Sequence, residues 1–280
     1  MYNAYTQTVK IIVFSSIHQR LLAINSYKPL IGSHRGIDYS KETPKNTIES
    51  FKNNPLCDYI EVDCQLTKDD KIILFHDKTI LSTPVNRQSL SDLKKHHPWL
   101  ITLDTLLAEI YANTTSPLYN KALYLELKYY EKTEDRKKLF TNTLRSLLNN
   151  HKVNKTNVII VSFDSDLLDR IYDSDPSYFL GLNVSFNPDD PESYELTEKA
   201  FKKTYPIPKR IAFCPHINEI NHPQLSTHPK LVWEGANEKA ILEKLRSFKS
   251  KQELLTWCDE NNIIGFTTNN VAEVSQILNA

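Results

Sequence analysis

The stretches Ser33-His34-Arg35-Gly36 and Glu61-Val62-Asp63 each stand at the end of a short apolar run that is typical of a β-strand. Phe75-His76-Asp77 and Leu123-Tyr124-Leu125-Glu126-Leu127-Lys128 repeat this arrangement further along the chain. In a (β/α)8 barrel the carboxyl ends of the strands meet at one face, and that face carries the reactive residues. The repeated pattern therefore predicts a barrel whose mouth collects histidines, carboxylates and cations.

Strand-like and helix-like stretches alternate along the chain, which favours an α/β protein with a single (β/α)8 TIM barrel. The strand candidates are residues 30–34, 59–63, 71–76, 123–128, 157–163, 179–184, 210–214, 230–233 and 263–267. These are one more than a barrel holds. Residues 210–214 and 230–233 compete for the seventh place, so we expect an irregular C-terminal third.

Three helices are predicted with the most detail. Residues 46–51 follow Pro44, which is tolerated at the start of a helix. Residues 103–110 form a second helix. Residues 133–150 form the third, because their apolar side chains recur at helical spacing.

Length and charge limit the possible functions. The chain has 280 residues, and a barrel of this type takes about 250. We therefore expect a short N-terminal extension at residues 1–28 and the barrel at 29–280. Lys and Arg together number 34, as do Asp and Glu, and this balance argues against a nucleic-acid-binding surface.

The sequence favours no membrane span, because no run approaches the roughly 20 apolar residues required. The apolar stretch 11–14 is short and lacks the basic region and cleavage site of a signal peptide. A cytoplasmic location is the default expectation, although an exported protein with a non-classical signal would have the same features. The four cysteines lack metal-ligand spacing, so we expect buried thiols. The oligomeric state stays open.

Two strand ends carry charged residues two positions apart, and such side chains point to the same face of a strand. Glu61 and Asp63 share one face, as do Glu126 and Lys128, while the intervening apolar residues face the helices. Three converging carboxylates suit a hard divalent cation such as Mg²⁺ or Ca²⁺. A cation would also explain how the fold tolerates three like charges in one place.

Two histidines and an arginine complete the candidate site. His34 and His76 end the predicted first and third strands, where a general acid and a general base could flank a bound phosphate. Arg35 offers a planar fork that matches phosphate oxygens, and Lys128 adds a point charge. The sequence does not assign the acid and the base between the two histidines.

Taken in order, these motifs resemble those of the glycerophosphodiester phosphodiesterase family. The family pattern is His-Arg-Gly, Pro-Glu-Asn-Thr, Glu-x-Asp-x-x-x-Thr-x-Asp-Gly, His-Asp and Glu-x-Lys. The matching stretches are residues 34–36, 44–47, 61–70, 76–77 and 126–128, with weaker matches at 101–103 and 162–164. The resemblance runs from about residue 29 to the C-terminus and is strongest up to residue 165.

The resemblance implies metal-dependent hydrolysis of a glycerophosphodiester, a small-molecule substrate, to glycerol 3-phosphate and an alcohol. The implied roles are metal ligation by Glu61, Asp63 and Glu126, acid–base catalysis by His34 and His76, and phosphate binding by Arg35 and Lys128. Phe163 and Trp233 are further candidates, for the wall of the substrate pocket.

Several positions depart from the family pattern. Lys45 replaces the glutamate of Pro-Glu-Asn-Thr, which reverses a charge near the predicted site. The late motif Trp-Thr-Val-Asn is present only loosely, at residues 233–237. The final Thr-Asp-x-Pro is replaced within residues 267–270. We therefore expect retained chemistry with an altered pocket wall.

Two other functions stay open at this stage. Phospholipases that act on lipid head groups share the barrel superfamily, although Glu126-x-Lys128 favours the glycerophosphodiester branch. A non-catalytic barrel used as a binding module would fit the altered late motifs. Against the binding module, all the charged candidates are present, and clustered carboxylates without a function would cost stability.

Overall fold

The computed structural model describes residues 28–131, 133–202 and 211–280. Its strands are β1 (Leu30–His34), β2 (Tyr59–Leu66), β3 (Ile72–Leu74), β4 (Thr79–Ile80), β5 (Thr83–Pro84), β6 (Ala122–Leu127), β7 (Val158–Ser162), β8 (Phe179–Val184), β9 (Ile211–Pro215), β10 (Lys230–Trp233) and β11 (Ile263–Thr268). The predicted N-terminal extension falls almost entirely on residues 1–27, which lie outside the described residues.

Eight of these strands run parallel and close into a barrel, in the order β1, β11, β10, β9, β8, β7, β6 and β2. The barrel closes because β2 also pairs with β1, where His34 lies opposite Glu61. The prediction of a (β/α)8 TIM barrel is confirmed. Both competing strands in the C-terminal third belong to the barrel, as β9 and β10, and a register shift between Lys230 and Leu231 interrupts the pairing of β10 with β11.

The extra strand candidate is the one predicted at residues 71–76, and its assignment to the barrel is wrong. The strand found there, β3, pairs antiparallel with the end of β2, with Cys64 opposite Leu74. Strands β4 and β5 form a separate small hairpin. The segment from β3 to β5 is therefore an excursion above the barrel, and His76 lies on this excursion and not at a barrel strand end.

Nine α-helices occur in the described residues: α1 (Ile48–Lys52), α2 (Leu90–His96), α3 (Leu103–Tyr111), α4 (Glu134–Asn150), α5 (Ser165–Ser174), α6 (Pro191–Lys202), α7 (Ala240–Arg246), α8 (Lys251–Glu260) and α9 (Val271–Asn279). Helices α3 and α4 confirm the predictions. Helix α1 begins later than predicted, because the Thr47 side chain accepts a hydrogen bond from Ser50 N and so acts as its N-cap. Pro44 lies outside the helix. In the described part of the chain, none of the helices has the length and apolarity to cross a membrane.

The alternation of side chains along the strands produces two apolar layers. Ile60 and Val62 of β2 point outward and pack in the large core between barrel and helices. Tyr59 points inward and packs in the barrel interior, where its ring stacks on that of Tyr124 at 5.7 Å between centroids. The inward positions above Tyr59 are Glu61 and Asp63, so the barrel places these carboxylates toward its mouth. All four cysteines are free and buried, as predicted.

Candidate active site

The carboxyl ends of the barrel strands surround a cavity of about 270 Å³. Eight of the nine predicted site residues line it: His34, Arg35, Glu61, His76, Glu126, Lys128, Phe163 and Trp233. Asp63, the ninth, is fully buried and forms ion pairs with Arg35 and Lys128. The fold thus brings residues from six separate segments of the sequence to one mouth.

Three carboxylates form a compact cluster at the base of this cavity. Glu61, Asp63 and Glu126 each present an oxygen within 4.8 Å of the others. Asp63 lies opposite Glu126 in the pairing of β2 with β6, so strand register brings them together. All three residues are buried. A hydrogen bond from Arg35 N to Glu61 Oε2, 2.9 Å long, orients the first carboxylate.

Glu61 Oε1 is buried without a hydrogen-bond partner in the described residues, while Asp63 Oδ1 and Glu126 Oε1 are buried and face only the ammonium group of Lys128, at 3.5 Å and 2.6 Å. Buried polar atoms are rarely left in this state, because the desolvation cost is then not repaid. Carboxylate oxygens are the ligands that Mg²⁺ and Ca²⁺ prefer. The donor set therefore fits a hard divalent cation.

Two cations lie against the cluster. Arg35 Nε is 3.0 Å from Asp63 Oδ2, and Lys128 Nζ lies 2.6 Å from Glu126 Oε1 and 3.5 Å from Asp63 Oδ1. Arg35 adopts a left-handed φ of 55°, which lets its backbone and its side chain serve two carboxylates. Next to it, Gly36 has a φ of 71° and packs on Ser50, where a Cβ atom would come within 2.4 Å of the hydroxyl.

The charges shift the pKa values of the cluster in opposite directions. Burial, followed by repulsion from Asp63, raises the pKa of Glu61 well above its usual range. Burial also acts to raise the pKa of Asp63, but Arg35 and Lys128 outweigh it and hold that pKa low. The pKa of Lys128 is raised, since Glu126 and Asp63 outweigh the lowering effect of burial. These shifts favour the ionised form of Asp63 and the neutral form of Glu61 in the absence of a cation.

The two histidines occupy different environments. His34 is buried, and its Nδ1 is 2.9 Å from Asn269 Oδ1. Burial, followed by repulsion from Arg35, lowers the pKa of His34 well below its usual range, so this ring is neutral. His76 is exposed over 37% of its side chain, and its Nδ1 is 2.8 Å from Asp77 Oδ1. His34 is thus buried and neutral, while His76 is partly exposed to solvent and contacts a carboxylate.

Some residues of the site have no role in the sequence analysis. Asn46 donates from Nδ2 to Asp63 Oδ2 at 3.0 Å, and it belongs to the motif at residues 44–47 without being a candidate there. Asn269 contacts His34, and the buried Glu234 supports Asn269. Asn269 and Glu234 lie in the two late motifs that depart from the family pattern. That departure is the sequence signal that could have identified them.

Aromatic side chains form the outer wall of the cavity. Phe163 and Trp233 line it, and Trp233 is fixed by a hydrogen bond of 2.8 Å from Nε1 to Cys214 O. Tyr130 lines the same wall, and burial raises its pKa to about 12, so its hydroxyl stays protonated. Glu192, at the start of α6, completes the rim. The outer part of the cavity therefore combines aromatic and acidic side chains, while the base carries the carboxylate cluster and its two cations.

Comparisons with known proteins agree with this geometry. Residues 34–206, more than half of the chain, match the glycerophosphoryl diester phosphodiesterase family. A curated glycerophosphodiester phosphodiesterase from Caldanaerobacter subterraneus subsp. tengcongensis is 40% identical over 75 residues, which cover 24% of this chain and 30% of the relative. The chain thus aligns with less than a third of the curated relative's length.

Solved structures share the fold over nearly the whole chain. A glycerophosphodiester phosphodiesterase from Parabacteroides distasonis has a TM-score of 0.64 at 18% identity, covering 90% of this chain and 98% of its own. An Oleispira antarctica phosphodiesterase, solved in complex with the product sn-glycerol-3-phosphate, has a TM-score of 0.60 at 17% identity, again covering 90% and 98%. At these identities the similarity establishes the barrel fold.

Proposed function

The chain belongs to the glycerophosphoryl diester phosphodiesterase family, and we propose that it hydrolyses glycerophosphodiesters to glycerol 3-phosphate and an alcohol. One observation carries the proposal: three carboxylates, two cations and two histidines of the sequence motifs line or underlie a single cavity. The product-bound relative from Oleispira antarctica supports the same substrate class.

We assign the metal to Glu61, Asp63 and Glu126, which each present a carboxylate oxygen within 4.8 Å of the others. A bound Mg²⁺ or Ca²⁺ would polarise the phosphoryl oxygens and make the phosphorus a better electrophile. With all three carboxylates ionised, as a bound cation would hold them, and with Arg35 and Lys128 protonated, the cluster carries one net negative charge. A divalent cation reverses that sign and suits a phosphodiester, which carries one negative charge.

Arg35 and Lys128 bind the phosphate in this proposal. Asp63 holds the guanidinium at Nε, which leaves the terminal Nη groups of Arg35 for phosphate oxygens. Lys128 contributes a charge from the adjacent strand, and its ion pairs keep it protonated. Phe163 and Trp233 then contact the apolar parts of the substrate that project from the phosphate.

His34 and His76 transfer the protons of the reaction. They are the two imidazoles that line the cavity in the described residues, and each is oriented by a partner at Nδ1. One takes a proton from the attacking water, while the other gives a proton to the leaving alcohol. Together they limit the charge that develops on the attacking and leaving oxygen atoms in the transition state.

The test is release of glycerol 3-phosphate from a panel of glycerophosphodiesters, with Mg²⁺ or Ca²⁺ and with EDTA. We expect release that EDTA abolishes and that His34→Gln and Glu61→Gln each lower at least about a hundredfold. His151→Gln is the matched control, because His151 contacts Asp104 on the outside of the barrel and is not part of the cavity lining.

Each remaining outcome selects an alternative. Release only from lipid vesicles, and not from soluble diesters, would identify a phospholipase-type enzyme. No release from any substrate together with no metal binding would overturn catalysis and leave the non-catalytic binding module.

A further inference from the structure

Asn269 is held by hydrogen bonds that determine which way its side-chain amide points. Its Nδ2 donates to two backbone carbonyls, Gly235 O at 2.7 Å and Glu238 O at 3.0 Å. A carbonyl oxygen can only accept, so the amide nitrogen must occupy this position. The opposite orientation would place an oxygen against two oxygens. The amide oxygen of Asn269 therefore faces His34, at 2.9 Å from Nδ1.

This orientation fixes the proton on the imidazole of His34. An amide oxygen carries no hydrogen, so the bond exists only if Nδ1 carries the proton and donates it. His34 is buried, and water does not compete for this atom. In the neutral ring the other nitrogen, Nε2, then has a free lone pair, and the ring lines the cavity. His34 is thus presented to the substrate as a proton acceptor.

A buried carboxylate holds Asn269 in place. Glu234 is fully buried, and its Oε1 accepts hydrogen bonds from Thr268 Oγ1 at 2.7 Å and from Asn269 N at 2.9 Å. Its Oε2 accepts a third, from Ile241 N at 2.8 Å. The carboxylate joins the end of β10 to the end of β11 and to the start of α7.

Glu234 and Asn269 come from the two motifs in which the sequence departs from the family pattern, at residues 233–237 and 267–270. In the fold the two altered motifs contact each other directly. A change in one can therefore be matched by a change in the other. The departures form one connected support for His34, and not two separate losses.

We propose that Asn269 and Glu234 are positioning residues that hold His34 in the tautomer with Nδ1 protonated, so that Nε2 keeps its lone pair toward the cavity. The proton transfers that follow from this tautomer rest on the proposed function. His34 Nε2 takes a proton from the attacking water as the new oxygen–phosphorus bond forms. His76 gives its proton to the leaving alcohol as the old oxygen–phosphorus bond breaks. Proton exchange with solvent then restores both rings.

The tautomer can be read without any activity measurement, by long-range ¹H–¹⁵N NMR of the histidine rings in the full-length protein. His34 is assigned by comparison with His34→Gln. We expect a single neutral tautomer protonated at Nδ1. In Asn269→Leu, which keeps side-chain volume but removes the acceptor, we expect a mixture of tautomers or the form protonated at Nε2. A wild-type ring protonated at Nε2 would overturn the proposal.

A matched pair of variants separates positioning from general damage to the fold. Asn269→Asp and Asn269→Leu both lose the amide donors to Gly235 and Glu238, but only Asn269→Asp keeps an acceptor for His34. We expect Asn269→Leu to lower kcat by about 10- to 100-fold with KM nearly unchanged, the range found for partners that orient a functional histidine. Asn269→Asp keeps the acceptor for His34 but places an oxygen against the carbonyls of Gly235 and Glu238, so we expect the tautomer to be retained and kcat to fall less than in Asn269→Leu.

Glu234→Gln tests the second positioning residue. An amide can accept only through its oxygen, so one of the two sets of hydrogen bonds at Glu234 must be lost. We expect an intermediate fall in kcat and a partly mixed tautomer. Equal losses in Asn269→Asp and Asn269→Leu, with the wild-type tautomer in both, would show that the segment supports only the fold. An inactive wild-type protein with the expected tautomer would refute the proposed function and leave the positioning role standing.

Discussion

Asn46 allows a quantitative test of how the carboxylate cluster is held. Its side chain donates from Nδ2 to Asp63 Oδ2 at 3.0 Å and accepts from Asp63 N at 3.3 Å. Asn46 has a φ of 59°, a left-handed conformation that Asn, Asp and Gly tolerate. Asn46→Asp and Asn46→Gly therefore change the contact with Asp63 while the backbone is kept.

The two variants should lower the free energy of unfolding by different amounts. Asn46→Gly removes hydrogen bonds to a charged group and should cost about 1.5–3 kcal/mol of unfolding free energy. Asn46→Asp places a carboxylate oxygen where a donor stood. At 3.0 Å the repulsion between two ionised carboxylates is about 5 kcal/mol for an effective dielectric constant of about 20. Protonation of one of the two carboxyl groups limits the loss of unfolding free energy to about 4 kcal/mol at pH 7. This is the cost of protonating a carboxyl whose ordinary pKa lies about three units below that pH.

The measurement is urea unfolding in EDTA at pH 7 and at pH 5. The introduced carboxyl has a raised pKa in the folded state, so the destabilisation develops as pH rises above about 4 and shrinks as pH falls. The difference in unfolding free energy between wild type and Asn46→Asp should be about 2–3 kcal/mol smaller at pH 5 than at pH 7. Asn154→Asp is the control, because Asn154 is the exposed N-cap of a short 3-10 helix, Lys155–Asn157, and Asp serves as an N-cap as well as Asn does. An Asn46→Asp protein as stable as wild type at pH 7, or a gap equal at both pH values, would refute the reasoning.

Three further outcomes are expected. His34→Gln should lower kcat by about 10²–10⁴ while calorimetry shows unchanged metal affinity, and a parallel loss of affinity would contradict a role limited to proton transfer. Glu126→Gln should weaken Mg²⁺ or Ca²⁺ binding at least about tenfold by calorimetry, because one of three charged ligands is lost, and an unchanged Kd would remove Glu126 from the metal site. The four cysteines should resist a thiol reagent at pH 8 in the native protein and react after unfolding. All four thiols are buried, and burial raises the pKa of Cys57 to about 11. Rapid reaction of the native protein would show that at least one thiol is accessible to the reagent.

Local patterns predict much of this fold because each barrel strand is short, apolar and followed by polar residues. The alternation at Glu61 and Asp63 predicts which face meets the helices, and the periodicity of residues 133–150 predicts α4. The error at residues 71–76 has a physical cause. An apolar run of three buried residues, Ile72–Leu74, has the same pattern whether it pairs parallel inside a barrel or antiparallel at its rim.

The parts of the site that sequence reasoning missed depend on distant contacts. His34 and Asn269 are separated by 235 positions along the chain, and no local periodicity connects them. The role of Glu234 depends on three donors that only the folded barrel brings together. Motif spacing therefore identifies the residues that do the chemistry more readily than those that orient them.

The closing of the barrel joins the first strand of the described chain to the last, with Ser33 opposite Thr268. During synthesis the ribosome completes both histidines and all three carboxylates by residue 126, long before it reaches residue 269. A growing chain would carry every reactive group before the support for His34 exists. The chain then becomes active only when the final strand has paired. In a refolding experiment, the recovery of turnover would therefore report the rate of barrel closure and not the rate of the earlier hydrophobic collapse.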